Sequence, residues 1–437
     1  MKFSSTTKSF SILSGVLFAT TMVIACGGAT KTPKGAMSDL ADGAPPPPTT
    51  AGGTPTKIDR TVSRATEKDF SKAVAFYNKQ AKAGWNNERC ENAAERFQGI
   101  VKDNPKMIEA RFNSGLSYQN CGMNKEAQKE YQKALKIAPT HGASLSNLGE
   151  IYFQGGNETR AKEYWTSAVN ADGRTVAPRN NLAWLMIRDI RDGKGSLASL
   201  ERPAKQHLQR ALAVDNDNVE AYTLLGLLYM QGAKKNKSRL TLAKLLLDKA
   251  GEIDGKYAPT HNARGLLLLQ KDNTPNALKS FQMAIQLDPE FKEAHRNVGN
   301  IVLDFRKYGE AKVAFQKVLS LDPKDYDAHI GLGYAFRGLK QFDAAEKSYV
   351  AARKLDSSRP DADFNLGVLY QDFRSSETDD LKKSQAAYRK ASGFFKTAMG
   401  KPKASKALKK DAASNAKVCA KNVENIAESI KFLNASP

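Results

Sequence analysis

NARGLLLLQKDNTPNALKSFQMAIQLDP (262–289), RNVGNIVLDFRKYGEAKVAFQKVLSLDP (296–323) and FNSGLSYQNCGMNKEAQKEYQKALKIAP (112–139) are the three segments that decide the fold of this 437-residue chain. Each has a glycine, an alanine, an aromatic residue, a small or β-branched residue and a proline at the same spacings. In 112–139 these five residues are Gly115, Ala127, Tyr131, Ala134 and Pro139. A pattern that recurs at this period predicts a repeated pair of helices.

The spacing has a physical reason. Glycine and alanine stand where two antiparallel helices approach closely, and the aromatic side chain fills the gap beside them. The following proline ends the second helix, because proline lacks the backbone N–H that would continue it. Spacings of three and four residues place these side chains on one helical face.

This pattern resembles the tetratricopeptide repeat. In the same register the chain holds about nine units, which start near residues 74, 108, 142, 176, 219, 258, 292, 326 and 360. Two longer intervals place insertions between helices at 191–203 and 232–240. The resemblance implies an all-α fold, a right-handed superhelical solenoid over 63–400. We predict that a Lys-rich helix in 401–437 caps its end, which such stacks need.

The first residues have the character of a targeting signal. Lys2 and Lys8 precede a largely apolar stretch from Phe10 to Ile24, as in a secretory signal peptide over 1–25. The next residue, Cys26, resembles the lipidated cysteine of bacterial lipoproteins; the alternative is an ordinary signal followed by an incidental cysteine. Residues 26–62 are rich in Pro, Gly and Thr, which favours a flexible tether. We expect an outer-membrane lipid anchor on the periplasmic side.

Composition and charge exclude several classes of protein. The hydrophobic share of 41% excludes wholesale disorder, and four cysteines are too few for a disulfide-dense scaffold. The net charge is +21, with 46 lysines against 21 arginines. Because arginine dominates bidentate phosphate recognition, this balance argues against nucleic-acid binding. The excess favours either anionic envelope partners or a plain solubilising surface.

Cys90 and Cys121 fall at matching turns of the first two units. Successive turns are neighbours in such a stack, so the sequence leaves two alternatives, a disulfide or two free thiols. No motif for a catalytic site, a cofactor or a metal site stands out, and we expect no small-molecule substrate. His261, His295 and His329 lie 34 residues apart, which repeats one helix position rather than assembling a metal site.

In the repeat family, ligands bind the inner face of the first helix of each unit. The positions that map there are largely apolar here, and they form either a partner-binding groove or part of the core. The groove prediction covers Phe112, Phe153, Trp184, Ile187, Leu227, Met230, Leu266, Leu269 and Tyr334. The resemblance therefore implies protein partners held in this groove, with Trp184 as the main anchor.

The functional prediction is a non-enzymatic, lipid-anchored scaffold that holds other envelope proteins in place. The layout of signal, tether and Lys-rich solenoid resembles the lipoproteins of the bacterial adventurous gliding motility machinery. Two alternatives stay open at this point: a pilotin-like lipoprotein that assists assembly of a secretin or pilus, and a regulator of a peptidoglycan enzyme complex.

Overall fold

The computed structural model describes residues 63–435, which contain nineteen α-helices and no strand. The signal, Cys26 and the tether predicted for 1–62 lie outside the described residues. The described part divides into two compact units, an N-terminal unit that ends at Gly255 and a C-terminal unit that begins at Lys256. None of the described helices is long and apolar enough to cross a membrane.

The N-terminal unit holds five helical hairpins. Their helices are α1 (Arg64–Ala83), α2 (Asn87–Asp103), α3 (Ile108–Gln119), α4 (Asn124–Ile137), α5 (Gly142–Gln154), α6 (Glu158–Ala171), α7 (Ala177–Arg191), α8 (Leu197–Val214), α9 (Val219–Gln231) and α10 (Arg239–Ile253). In each hairpin we call the first helix A and the second helix B.

The C-terminal unit holds four hairpins and a final single helix. Its elements are α11 (Ala258–Gln270), α12 (Thr274–Leu287), α13 (Lys292–Asp304), α14 (Tyr308–Leu321), α15 (Tyr326–Gly338), α16 (Phe342–Leu355), α17 (Asp361–Asp372), a 3₁₀ turn (Arg374–Ser376), α18 (Leu381–Gly400) and α19 (Lys406–Ala435). The predicted all-α fold of nine hairpins is confirmed over the described residues.

The predicted starts coincide with the A helices to within one residue from position 108 onward. The first A helix differs, because it begins at Arg64, ten residues before the predicted start. Its N-cap is Ser63, whose side chain accepts a hydrogen bond from the Thr66 backbone N–H. The predicted insertion at 191–203 is partly wrong, since residues 197–203 are the first turns of α8 and Pro203 lies inside that helix.

Close contact between the glycine of helix A and the aromatic ring of helix B explains the repeat pattern. A Cβ atom added to Gly149 would stand 2.4 Å from the Trp165 ring, and one added to Gly265 would stand 2.5 Å from Phe281. Real carbon atoms do not approach so closely, so only glycine fits there. Both aromatic side chains are fully buried.

The final helix α19 packs on the last hairpin through the first half of its length. Leu408, Ala412, Ala416 and Cys419 are buried, at spacings that put them on one helical face. Toward the other end, Phe432 is 73% exposed. Cys419 donates its S–H to the Gln371 side-chain oxygen at 3.1 Å, and burial raises its pKa to about 12.

Candidate functional site

The A helices carry all nine residues of the predicted groove, but most of these side chains are buried within the protein. Seven of them belong to this buried set: Phe112, Ile187, Leu227, Met230, Leu266, Leu269 and Tyr334. These seven side chains therefore belong to the core rather than to a binding surface. A side chain that its neighbours already cover has little surface left to bury against a partner. Phe153 and Trp184 remain half-buried.

Aromatic and cationic side chains cover two of these buried residues, Phe112 and Tyr334. The Phe112 ring lies 5.5 Å from the Tyr131 ring of its own hairpin and 5.4 Å from the His141 ring, measured between centroids. In the C-terminal unit, the Tyr334 ring meets the Tyr349 ring edge-on at 6.2 Å, and the Arg337 guanidinium lies over Tyr334 at 4.7 Å. These contacts belong to hairpin packing.

Phe153 and Trp184 form an aromatic pair that joins two neighbouring A helices. Their ring centroids are 5.4 Å apart in an edge-to-face arrangement, and Phe153 also packs 5.6 Å from the buried Trp165 ring. The Trp184 indole nitrogen has no hydrogen-bond partner among the described residues. We call Phe153 and Trp184 the aromatic pair; its half-exposed rings offer apolar area for contact with another molecule, whereas the unused indole N–H is itself buried.

An arginine supports this pair from the side. The Arg188 guanidinium lies 5.2 Å from the Trp184 ring centroid. It is held by a bidentate ion pair with Glu158, whose oxygens lie 2.6 and 2.7 Å from the two terminal guanidinium nitrogens. The ion pair lowers the pKa of Glu158. Trp184 is therefore fixed by packing on one side and by a guanidinium, and it does not depend on a ligand for its orientation.

Next to the aromatic pair lies a group of buried hydrogen-bond acceptors. Asn180 on α7 donates from its side-chain nitrogen to Glu220 on α9 at 2.8 Å and to the Asn218 side chain at 3.0 Å. Glu150 on α5 accepts from Gln154 at 2.9 Å through one carboxyl oxygen. We call Glu150, Asn180 and Glu220 the acceptor cluster; its members are 1%, 0% and 8% exposed, respectively.

Each member of the acceptor cluster keeps one oxygen unused. Glu150 Oε2, Asn180 Oδ1 and Glu220 Oε1 have no hydrogen-bond partner among the described residues. Burial raises the pKa of Glu150 to about 7, against the weaker opposite effect of the bond from Gln154. Burial also raises the pKa of Glu220 to about 8, with Asn180 acting against and the nearby Glu150 carboxyl adding to the shift. Neither carboxyl has a cation among the groups that shift its pKa.

The aromatic pair and two members of the acceptor cluster occupy adjacent turns of α5 and α7, and Glu220 on α9 joins them through the hydrogen bond from Asn180. Phe153 follows Glu150 by three residues on α5, and Trp184 follows Asn180 by four residues on α7. Residues three and four apart are neighbours on a helix surface, with about 5–6 Å between their Cβ atoms. Together the five residues form one candidate site, with aromatic rings at one end and oxygen acceptors at the other.

The sequence prediction found the aromatic half of this site and missed the polar half. Glu150 stands at the same repeat position as Leu116 and Trp184, each 34 residues from the next. That register places Glu150 on the groove face. The groove prediction considered only apolar residues and so did not include Glu150. A single acid at a repeat position that otherwise holds Leu and Trp was a sequence signal that could have identified it.

Cys90 and Cys121 are joined by a disulfide, with their Cα atoms 6.3 Å apart. Cys90 lies in the first turn of α2, and Cys121 follows α3 in the turn before α4. The bond therefore links the first hairpin to the second. Cys419 is the one cysteine of the described residues that is free, and Cys26, the predicted lipidation residue, lies outside them.

Two of the three recurring histidines, His295 and His329, have a structural role. His295 Nε2 lies 3.0 Å from the Pro289 carbonyl oxygen, and His329 Nε2 lies 3.1 Å from that of Pro323. Each histidine thus contacts the proline that ends the preceding B helix, which explains their 34-residue spacing. Within residues 63–435, no group of three or more His, Cys, Asp or Glu side chains could hold a metal ion.

Three segments match models of the tetratricopeptide repeat, at residues 108–141, 262–325 and 302–366. Among curated proteins, the chain is 27% identical to anaphase-promoting complex subunit 3 of Schizosaccharomyces pombe over 45% of this chain and 27% of that protein. It is 26% identical to photosystem I assembly protein Ycf3 of Prochlorococcus marinus over 28% of this chain and 71% of that protein. The chain thus spans about a quarter of the first relative.

Among solved structures, yeast Tom70 is similar over 82% of this chain and 69% of that one, at 14% identity and a TM-score of 0.46. A thermophilic TPR protein of Thermus thermophilus is similar over 45% of this chain and 99% of that one, at 21% identity and a TM-score of 0.38. At such TM-scores, neither likeness locates a site on this chain. The helical hairpins, their glycine–aromatic contacts and the three matched segments agree, and the described helices form the tetratricopeptide-repeat fold.

Proposed function

We propose that this chain is a non-enzymatic scaffold of the bacterial cell envelope that binds a partner protein at the aromatic pair. The observation that carries the proposal is the exposure of Phe153 and Trp184, when seven other apolar residues of the predicted groove are buried. Large aromatic residues dominate the energetics of protein interfaces, at about 2 kcal/mol or more for each central residue. Tetratricopeptide repeats typically serve as interaction scaffolds rather than enzymes.

The charge of the chain supports such a role through the rate of encounter. A net charge of +21 draws acidic partners and anionic surfaces toward the protein. Charges of this kind speed association more than they add affinity. We therefore assign the affinity to the aromatic pair and its surroundings, and the rate of encounter to the lysines.

The envelope location of this scaffold is supported by the sequence alone. Residues 1–25 have the character of a signal peptide, and Cys26 follows them directly. In this proposal Cys26 carries a lipid in the outer membrane, and the repeats face the periplasm. Because its layout resembles that of gliding-motility lipoproteins, we assign the scaffold to that machinery.

The test of partner binding is Trp184→Ala in the full-length chain. Affinity purification from the envelope, followed by mass spectrometry, should recover a partner with the unmodified chain and lose it at least tenfold with the variant. Leu245→Ala is the matched control, because Leu245 is a 60% exposed apolar residue on a B helix of the same unit. The control should retain the partner.

Circular dichroism distinguishes a loss of partner binding from a loss of folding in Trp184→Ala. Capture lost with unchanged helicity and melting temperature supports binding at Trp184. A variant with a clearly lowered melting temperature shows instead that Trp184 is part of the core, and full retention of the partner contradicts the proposed surface. Deletion of the gene should abolish gliding with pili intact; lost pili or altered glycan cross-linking would contradict the assignment to gliding.

A further inference from the structure

With both carboxyls ionised, the acceptor cluster offers only acceptors to whatever approaches it. Its three unused atoms are two carboxyl oxygens and one amide oxygen, from three successive A helices of the N-terminal unit. The one amide group of the cluster already spends its donor nitrogen on Glu220 and Asn218. Buried oxygens without donors cost free energy, because the water lost on burial is not replaced.

We propose that Glu150, Asn180 and Glu220 form a subsite for a guanidinium group, which an arginine of the bound partner supplies. The inference rests on the proposed function, because it names a chemical feature of the partner that occupies the aromatic pair. It adds a requirement that the aromatic pair alone does not make. The partner must present an arginine beside the apolar group that contacts the aromatic pair, separated from it by about the length of one turn of α7.

A guanidinium fits the cluster better than other cations for two reasons. It carries five N–H donors in a planar fork, so it can serve several oxygens from different helices at once, whereas an ammonium group has three donors on one atom. It also stacks on aromatic rings, and Trp184 lies one turn from Asn180. Arg188 already shows that the Trp184 ring accepts a guanidinium beside it.

The electrostatics of the cluster point to the same occupant. The raised pKa values of Glu150 and Glu220 reflect burial without a cation. A guanidinium between the two carboxyls would favour their ionised forms and relieve the repulsion between them. Glu220 keeps 8% of its surface exposed, so the group would enter from the Glu220 side with rotation of the covering side chains, a common adjustment on binding.

The net charge of the protein makes a test of this subsite selective. At +21 the chain repels a small cation in general, so saturable binding of one must come from a local site. The probe is N-acetyl-arginine amide, and its control is N-acetyl-citrulline amide, which has a similar shape without the charge. Both are titrated to about 20 mM, above the range of weak single-site affinities, into the purified full-length chain at fixed ionic strength.

The readout is the indole N–H signal of Trp184 in a ¹H–¹⁵N spectrum, which Trp184→Phe identifies among the three tryptophans of the chain. We expect a saturable shift with the arginine probe and binding at least tenfold weaker with citrulline. The N-acetyl-lysine amide should also bind more weakly. Equal binding of all three probes, or a shift that never saturates, would overturn the proposal.

Variants locate the subsite. Glu150→Gln with Glu220→Gln removes both carboxylates at nearly constant shape and should weaken the arginine probe at least tenfold. Glu130→Gln is the matched control, because Glu130 is a buried acid of the same unit that already pairs with Lys133 at 2.8 Å; its affinity should stay within twofold. Should the double variant lose helicity, Glu220→Gln alone gives the answer, with at least a threefold weakening expected. Unchanged affinity in a folded variant rejects the subsite.

This experiment can fail independently of the proposed function, since it requires no partner. If Trp184→Ala releases the partner while the arginine probe fails to bind, the scaffold proposal stands and the subsite is wrong. If the probe binds at the cluster while Trp184→Ala keeps the partner, the subsite stands as a cation site and the aromatic pair is not the docking surface.

Discussion

At the scale of single residues, the repeat depends on the absence of one atom. Gly149 leaves room for the Trp165 ring, which then also donates its indole N–H to the Ser146 carbonyl oxygen at 3.2 Å. The same contact recurs between Gly115 and Tyr131. The glycine of helix A and the aromatic ring of helix B therefore depend on each other for packing, and a change in either one disturbs the contact.

We predict that Gly149→Ala destabilises the N-terminal unit by about 1–3 kcal/mol, the usual cost of overpacking a core. The added methyl group would meet the Trp165 ring at 2.4 Å. Urea unfolding followed by circular dichroism measures the change. Gly99→Ala is the control: it lies inside α2 with nothing within 4 Å of the added carbon, so it should be neutral or stabilise by up to about 1 kcal/mol. Equal effects of the two would contradict this account.

The acceptor cluster predicts a pH dependence of stability. In the folded protein the pKa values of Glu150 and Glu220 are raised to about 7 and about 8 from 4.5. Between about pH 4.5 and pH 8 the folded state therefore holds more protons than the unfolded state. The free energy of unfolding then falls as pH rises through this range, by on the order of a few kcal/mol, and levels off above it.

Melting temperatures at about pH 5 and about pH 8.5, near the two ends of this range, test the dependence. The unmodified chain should lose more stability over this interval than the double variant Glu150→Gln, Glu220→Gln, which has no proton to lose at either site. Glu130→Gln should behave like the unmodified chain. A double variant with the same pH dependence as the unmodified chain would show that these carboxyls titrate normally.

How far the sequence predicts residues depends on their role. The roles of Gly149 and Trp165 were predictable, because a packing contact that recurs every 34 residues requires the same residue types at that spacing in the sequence. Which groove residues stay exposed was not predictable: Trp184 is half-buried and Ile187 on the same helix is buried, and the difference comes from neighbouring helices that the sequence of α7 does not contain. The electrostatic interaction of Glu150 with Glu220 likewise joins residues from hairpins α5–α6 and α9–α10.

At the scale of elements, the hairpins follow the sequence signals closely. B helices α4, α12 and α14 end two residues before Pro139, Pro289 and Pro323. The predicted insertion at 191–203 is the exception: residues 197–203 are helical, and Pro203 sits in the second turn of α8, where its missing N–H removes one i to i−4 hydrogen bond. Helix signals are local, so the starts of the A helices from residue 108 onward were predictable, whereas the start of α1 and the start of α8 were not.

The disulfide gives a prediction at this scale. The Cys90–Cys121 bond closes a loop with a sequence separation of 31, for which the chain-entropy model gives about 3–4 kcal/mol of stabilisation. Cys90→Ser with Cys121→Ser, or a reducing agent, should lower the unfolding free energy by that order, as measured by urea unfolding. Cys419→Ser serves as the control for losing a cysteine outside the bond. Free thiols at Cys90 and Cys121 in non-reduced peptide mapping would contradict the bond.

At the scale of the whole molecule, sequence and structure inform different parts. The structure describes residues 63–435 as two units of helical hairpins, and the predicted signal, anchor and tether rest on the sequence before them. We expect Cys26→Ser to move the protein from the membrane fraction to the soluble periplasm. The membrane must be washed with high salt, because a net charge of +21 can hold an unanchored chain on anionic lipid. A variant that still sediments after this wash would contradict lipid anchoring.

The first hairpins of the N-terminal unit and the last hairpin of the C-terminal unit are secured in different ways, the former by the Cys90–Cys121 bond and the latter by α19. Stacks of repeats fray from their ends, since a terminal unit has only one neighbour. Cys419 lies within the contact between α19 and the last hairpin, where its fully buried and protonated thiol is inert to alkylating reagents. The rate at which Cys419 is alkylated therefore measures how often α19 detaches from the last hairpin. Each labelling event records one departure of α19, and the labelling rate over that of an exposed thiol gives the free energy of this local opening.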